Sequence, residues 1–392
     1  MSASHQKKGP LREVALVFLR LGFFAFGGPA AHIALMEDEF VARRKWLGRQ
    51  HFLDLVGATN LIPGPNSTEM TMHIGYERAG WRGLLVAGSC FIGPAVVMSA
   101  FLGWIYLEYG SLPQVEPFFV GLKPAVIAVI AVALLKLGKK AVKGWRFVVI
   151  GLAVALVSLG GGSEIWTLLL GGVIGCLWLR AVGFDSRSRA DSWIALLFLS
   201  QTRWGFAAPA VGAAAAGTVS LPKLFLFFLK VGAVLYGSGY VLVAFLEGGL
   251  VDELGWLTRA QLLDAIAIGQ FTPGPVLSTS AFIGFLLAGT QGALLAAVGI
   301  FLPSFFFVWL LNPLIPKLRS SLWLGSFLDA VNVSAVGLML AVLFELGQAT
   351  LTSLSGWVLL AGSFLALRFQ IPAVWVVVGC AGCGWFLSAV GL

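Results

Sequence analysis

Long apolar runs alternate with short polar breaks from one end of the chain to the other. Clear runs cover 83–107, 117–138, 147–161 and 165–180, and again 292–311, 325–346, 355–369 and 371–390. Their continuity lacks the period-two alternation of barrel strands, so it predicts membrane-crossing helices. Several are short for a crossing of ~20 residues, which implies local thinning or snorkelling flanks. Four other stretches are interrupted inside. Segments 11–41 and 221–250 break at Gly27-Gly28-Pro29 and Gly237-Ser238-Gly239, and segments 50–80 and 260–290 break at Pro-Gly-Pro. Gly and Pro unwind helices, and unwound backbone at membrane depth is tolerated only where protein or a wet cavity receives it. Basic residues flank 50–80 at both ends (Arg43–Arg49, Arg78 and Arg82), so that segment reads as a re-entrant helical hairpin.

Composition sharpens this picture. Of 392 residues 58% are apolar and 11% charged, and the mean hydropathy is +0.91. A soluble domain carries about 25% charged residues. The net charge of +8 would suggest nucleic acid in a soluble chain, but here it reads as basic loops facing anionic lipid, with no nucleic-acid partner. The four cysteines lie in apolar runs; Cys380 and Cys383 form a CxxC without a second pair or a neighbouring His, so packing is expected rather than a metal. Met1–Pro10 is short and polar and does not read as a removable signal peptide.

The chain is duplicated. Residues 210 apart pair Phe18-Leu19-Arg20 with Phe228-Leu229-Lys230, and Trp46-Leu47 with Trp256-Leu257. The same spacing pairs Asp54 with Asp264 and Pro63-Gly64-Pro65 with Pro273-Gly274-Pro275. Beyond the Pro-Gly-Pro the spacing becomes 209, pairing Gly75 with Gly284, Gly83 with Gly292 and Pro94 with Pro303. Equivalent loops carry opposite charge: Arg43, Arg44 and Lys45 face Glu253, Leu254 and Gly255, whereas Glu108 and Glu116 face Lys317 and Arg319. Under the positive-inside rule such loops lie on opposite sides of the membrane, so the copies form an inverted repeat, an arrangement found in many secondary transporters. The expected fold is an all-α polytopic membrane protein of two homologous halves with broken or re-entrant helices. Residues 1–192 hold the first repeat and a cytoplasmic linker; 193–392 hold a joining segment (205–221) and the second repeat.

Candidate chemistry gathers at the breaks. Pro63-Gly64-Pro65-Asn66-Ser67-Thr68-Glu69 and Pro273-Gly274-Pro275 with Ser278 and Thr279 start half-helices with Pro at an allowed position and hydroxyls beside the free N–H groups. A half-helix N-terminus binds an anion without a charged side chain; the bland alternative is a simple helix end. Gly27, Gly28, Gly237 and Gly239 mark the other breaks. Arg20 and Lys230 are equivalent bases in apolar runs, either substrate partners or snorkelling side chains. Glu69 is either a capping acid or a proton carrier. His32 is either a titrating group or a hydrogen-bonded interior residue, and Asn60 and Gln270 offer amide donors. Lys123, equivalent to Asn332, is either snorkelling or on a pathway. Asp54 and Asp264 read as hairpin anchors. No HExxH, GxSxG elbow or nucleotide loop is present in the sequence, which argues against an enzyme or an ATP-driven pump.

Phe26-Gly27-Gly28-Pro29-x-x-His32, Pro63-Gly64-Pro65 with its hydroxyls, Gly121-Leu122-Lys123-Pro124-Ala125-Val126, Leu235-Tyr236-Gly237-Ser238-Gly239-Tyr240 and Thr272-Pro273-Gly274-Pro275 resemble the chromate transporter family, long two-domain type. The resemblance implies a multi-pass inner-membrane transporter that exports chromate, a sulfate-shaped oxyanion, and confers chromate resistance. It implies no cofactor. The expected partners are the oxyanion (chromate, or sulfate), membrane lipid and a second copy in a homodimer. Two alternatives stay open: a sulfate or other small-anion exchanger, and a passive anion channel.

Overall fold

The computed structural model describes residues 11–25, 28–60, 62–110, 112, 115–181, 219–236, 239–311 and 322–390. The linker 182–203 and most of the joining segment 205–221 lie outside them, as do Gly27 and Gly237. Among the described residues there are fourteen α-helices and no strand, seven to each half. The first half holds α1 (Leu11–Phe24), α2 (Gly28–Glu37, extended by a π-turn to Arg43), α3 (Arg49–Thr59), α4 (Asn66–Tyr109), α5 (Glu116–Ala141), α6 (Trp145–Leu159) and α7 (Glu164–Ala181). The second holds α8 (Leu221–Val234), α9 (Leu242–Leu246, followed by a π-turn to Glu253) and α10 (Arg259–Gly269). It continues with α11 (Thr279–Leu311, after a 3₁₀ turn at Val276–Ser278), α12 (Leu322–Thr350), α13 (Leu354–Arg368) and α14 (Ala373–Val390).

The repeat is reproduced in backbone detail. Both π-turns recur, and Lys45 and Gly255 at the turns that follow have φ of 52° and 59°. Helix α4 is not one rod: Ala79 (φ −142°) and Gly80 (φ 67°) reverse it, and Ala288 (φ −150°) and Gly289 (φ 60°) reverse α11 the same way. Gly75 lies against the Gly83 carbonyl, and Gly284 against that of Gly292. Eight residues along a straight helix would be about 12 Å apart, so each contact proves a hairpin. The Ala79–Gly80 fold divides α4 into a half-helix, 66–78, and a crossing helix, 81–109.

The re-entrant reading of 50–80 holds. His51 Nε2, near the start of α3, is 3.6 Å from Glu77 Oε2, near the end of the half-helix, so the mouth closes while Pro-Gly-Pro forms the tip. The eleven residues of α3 rise about 16 Å, half of a ~30 Å hydrocarbon core. Helices α1 and α2 form a second re-entrant pair that the sequence had marked only as a broken segment. Arg44 and Arg78 both pair with Glu13, at 3.0 and 3.1 Å, so the mouths of both hairpins share one face.

Inversion follows from which ends meet. Lys143, just past α5, reaches Asp329 near the start of α12 at 2.6 Å, and Arg180 at the end of α7 stacks on Trp323. At the other end of α12, Glu345 lies 4.0 Å from Arg259 at the mouth of the second-half hairpin, and Glu164 at the start of α7 packs on Gly248. The two halves interlock: α5 packs on α13 and α14, while α12 packs on α6 and α7. Among the described residues five helices are long and apolar enough to cross a membrane, with three shorter apolar ones.

Candidate functional site

The four broken segments meet at the centre of the molecule. The Gly64 N–H donates to the Leu235 carbonyl at 2.7 Å, and the Gly274 N–H donates to the Ala25 carbonyl at 2.8 Å. These bonds are images of one another under the repeat. Each joins the Pro-Gly-Pro tip of one half to the end of the first helix of the other. Left-handed backbone permits the turn, with φ of 139° at Gly64 and 85° at Gly274.

Four helical N-termini therefore converge. Gly28 opens α2 and Asn66 opens the α4 half-helix; His32 of α2 joins them, its Nδ1 3.2 Å from Ser67 Oγ and its Nε2 3.0 Å from the Ala25 carbonyl. In the second half Gly239 packs against Val276 and Leu277 beside the other tip. Pro65 and Pro275 both cap without a side-chain hydrogen bond. Three of the hydroxyls expected to serve the free N–H groups, Ser67, Ser278 and Thr279, are used elsewhere. Ser67 faces His32, Thr279 donates to the Val276 carbonyl at 2.8 Å, and Ser99 donates to Ser278 at 3.2 Å across the halves. Helix geometry leaves the first N–H groups of each tip without a carbonyl one turn earlier. Uncapped, they direct positive potential at the junction.

Glu69 is fully buried in the half-helix and neither carboxylate oxygen has a hydrogen-bond partner among the described residues. It does not cap: its Oε1 lies over Gly64, in the same space that Ser304 Oγ of α11 approaches. Thr68 Oγ1 and Ser304 Oγ are likewise buried without a partner among the described residues. The Pro-Gly-Pro segments and Ser67 to Glu69 are all buried, so the junction is closed in this structure.

Other expected residues sit elsewhere. Arg20 and Lys230 are exposed on the outer faces of α1 and α8, and Arg20 lines a surface pocket of about 430 Å³ with Asp38, Glu39, Arg43 and Arg44. The structure does not bring them to the tips. Asn60 is exposed; its amide donates to the Val56 carbonyl at 3.0 Å and its oxygen accepts from Asn66 at 2.8 Å. Gln270 accepts from Tyr240 at 3.4 Å. Lys123 is half-buried within electrostatic reach of Asp264, whose Oδ2 accepts from Tyr106 at 2.8 Å. Asp264 thus ties its hairpin to the other half, while Asp54 accepts from Gln50 at 3.4 Å. Asn332 is half-buried on α12. Sequence reasoning missed Ser304 and Ser99. Ser304 follows Pro303, a repeat-paired proline, which was the available signal.

The one carboxylate grouping with metal-ligand spacing among the described residues is Glu247, Asp252 and Glu345, whose oxygens lie within 4.8 Å of one another. Arg259 stands among them, 2.5 Å from Glu247 and 3.2 Å from Asp252. Burial pushes the Asp252 carboxyl above its ordinary range against the pull of Arg259.

An inverted pair of helical repeats with re-entrant hairpins meeting tip to tip defines a multi-pass membrane transporter. The sequence model of the chromate transporter family matches residues 12–176 and 222–385, one copy in each half, and the chain belongs to that family. It is 33% identical over 381 residues to a probable chromate transport protein of Synechococcus elongatus, covering 95% of both chains. It is 32% identical over 355 residues to a chromate transport protein of Cupriavidus metallidurans, covering 88% of this chain and 84% of that one. An uncharacterized transporter of Bacillus subtilis matches 33% of this chain with 76% of its own, at 26% identity, as a relative built from one half. No solved structure matches.

Proposed function

We propose that this protein exports chromate across the inner membrane as a secondary transporter, binding the oxyanion at the tip junction. The observation that carries this reading is the reciprocal pair of hydrogen bonds, Gly64 to Leu235 and Gly274 to Ala25, which holds the uncapped helix N-termini of the two tips against the opposite halves. A tetrahedral dianion is suited to several converging N–H donors, and sulfate is its isosteric competitor. Rocking of one repeat against the other opens the junction alternately to each side.

Outward direction is supported by the two mouths. The first-half mouth carries Arg43, Arg44, Lys45, Arg49, Arg78 and Arg82 and faces the cytoplasm under the positive-inside rule. The second-half mouth gathers Glu247, Asp252 and Glu345 on one arginine. An anion is drawn to the first and released past the second, and a negative cytoplasm drives a dianion the same way. In cells expressing the protein, chromate accumulation falls and resistance rises relative to cells without it. Equal accumulation and equal sensitivity would sink the proposal.

A further inference from the structure

The hydrogen bonds that join the two tips to the opposite halves are symmetric, but the side chains around them are not. Around the first tip stand His32, Ser67, Thr68, Glu69 and Ser304. The repeat places Leu242, Val276, Leu277, Ser278 and Ala95 at the equivalent positions around the second. Four polar groups on one side are replaced by aliphatic ones on the other, and the carboxylate by a hydroxyl already bonded to Ser99. The unpartnered atoms follow the same division. Both Glu69 oxygens, Thr68 Oγ1 and Ser304 Oγ are buried without hydrogen bonds among the described residues. Beside the second tip Ser280 Oγ is in this state, while the second half's other such atoms, Glu247 Oε2 and Asp264 Oδ1, lie before its Pro-Gly-Pro, on the π-turn and on α10.

Buried polar groups are nearly always paired, and a lone one is destabilising. Three residues in that state beside an uncapped helix N-terminus put unused donors and acceptors in one place. Glu69 and Ser304 also address the same space: a Cβ added at Gly64 would strike Glu69 Oε1 and Ser304 Oγ together. Among the described residues no cation faces Glu69. The titratable groups around it are His32 of α2, bonded to Ser67 and Ala25, His73 one turn along its own helix, and Tyr236 after α8, which lies within its electrostatic reach. Ser304 is what α11 contributes. An ionised carboxylate in such surroundings, next to a dianion, has nothing to balance it. A protonated carboxyl has an O–H to donate and suits both.

We infer that the oxyanion binds on the first-half side of the junction alone, between the N-terminus at Asn66 and Ser304, with Glu69 entering as a neutral carboxylic acid that donates to an anion oxygen. The inference rests on the transport reading above. Tip separation frees Glu69 and Ser304 to turn to the anion; at pH where Glu69 is ionised before binding, one proton passes from hydronium in the solvent to its carboxylate as the anion binds, and at lower pH, where it is already neutral, none is taken up. The second tip, aliphatic at the matching positions, serves as the closing surface.

Chromate and sulfate binding to the purified full chain in nanodiscs, measured from acid to alkaline pH, tests this. Wild-type affinity falls about tenfold per pH unit once Glu69 loses its proton. Glu69→Gln, which keeps a neutral donor, binds with no such fall, and Ser304→Ala and Thr68→Val each weaken binding about tenfold at low pH. A Glu69→Gln profile that still tracks the wild type, or wild-type affinity in both hydroxyl variants, overturns the inference. Wild-type protein that binds neither anion at any pH overturns the transport reading itself. Glu69→Gln is close to isosteric, and its elution profile in detergent confirms folding before binding is compared.

Discussion

Alanine at three left-handed glycines grades the cost of disturbing the junction. Gly28, Gly274 and Gly64 have φ of 80°, 85° and 139°, so each substitution carries backbone strain of about 1–2 kcal/mol. What the new methyl meets differs. At Gly28 nothing lies within 4 Å. At Gly274 the nearest atom is Ala95 Cβ at 3.0 Å, which needs a shift of a few tenths of an ångström. At Gly64 the methyl collides with Glu69 Oε1 and Ser304 Oγ in a buried place, which adds about 1–3 kcal/mol of overpacking. The expected losses are about 1–2 kcal/mol for Gly28→Ala, slightly more for Gly274→Ala, and about 2–5 kcal/mol for Gly64→Ala. Thermal unfolding of purified variants in one detergent gives the order, and flux in liposomes gives the functional effect. Gly64→Ala as stable as Gly28→Ala would refute the claim that Glu69 and Ser304 fill the space over Gly64.

Three further outcomes follow from the fold. With the native cysteines replaced, Lys143→Cys reacts with an impermeant maleimide from the cytoplasmic face and Arg259→Cys from the opposite face; labelling of both from one side contradicts the inverted repeat. Gly75→Leu and Gly284→Leu push into the Gly83 and Gly292 carbonyls, so both variants lose folded yield in membranes, measured by detergent-resistant monodisperse protein. The Asp252 carboxyl is raised by burial, so the folded chain holds that proton more tightly than the unfolded one. Its contribution to stability is present at low pH and is lost as pH rises from about 4 through the raised value; Asp252→Asn flattens that part of the melting-temperature profile.

The duplication, its inversion and the Pro-Gly-Pro tips were legible because Gly, Pro, Trp and charge cannot align by hydrophobicity alone. The hairpin turns at Ala79–Gly80 and Ala288–Gly289 were not. An Ala-Gly pair in a helical run has no breaker strong enough to announce a reversal, and the close approach at Gly75 and Gly83 needs three dimensions to be seen. Arg20 and Lys230 were weighed as site residues because they are equivalent bases in apolar runs. Helical phase explains their actual place: Val14, Val17, Phe18 and Gly22 mark the buried face of α1, and Arg20 falls on the opposite side. Leu224, Phe228, Val231 and Gly232 do the same on α8. Glu69 was seen as acid or cap, but its isolation depends on Ser304, more than two hundred residues away.

Labelled-chromate flux into liposomes holding the purified protein, with an imposed voltage and sulfate as competitor, tests the central claim most directly. The account predicts saturable flux that follows the voltage in the direction of a moving anion, falls with added sulfate and is lost in Gly64→Ala. Flux no greater than that of protein-free liposomes would contradict it.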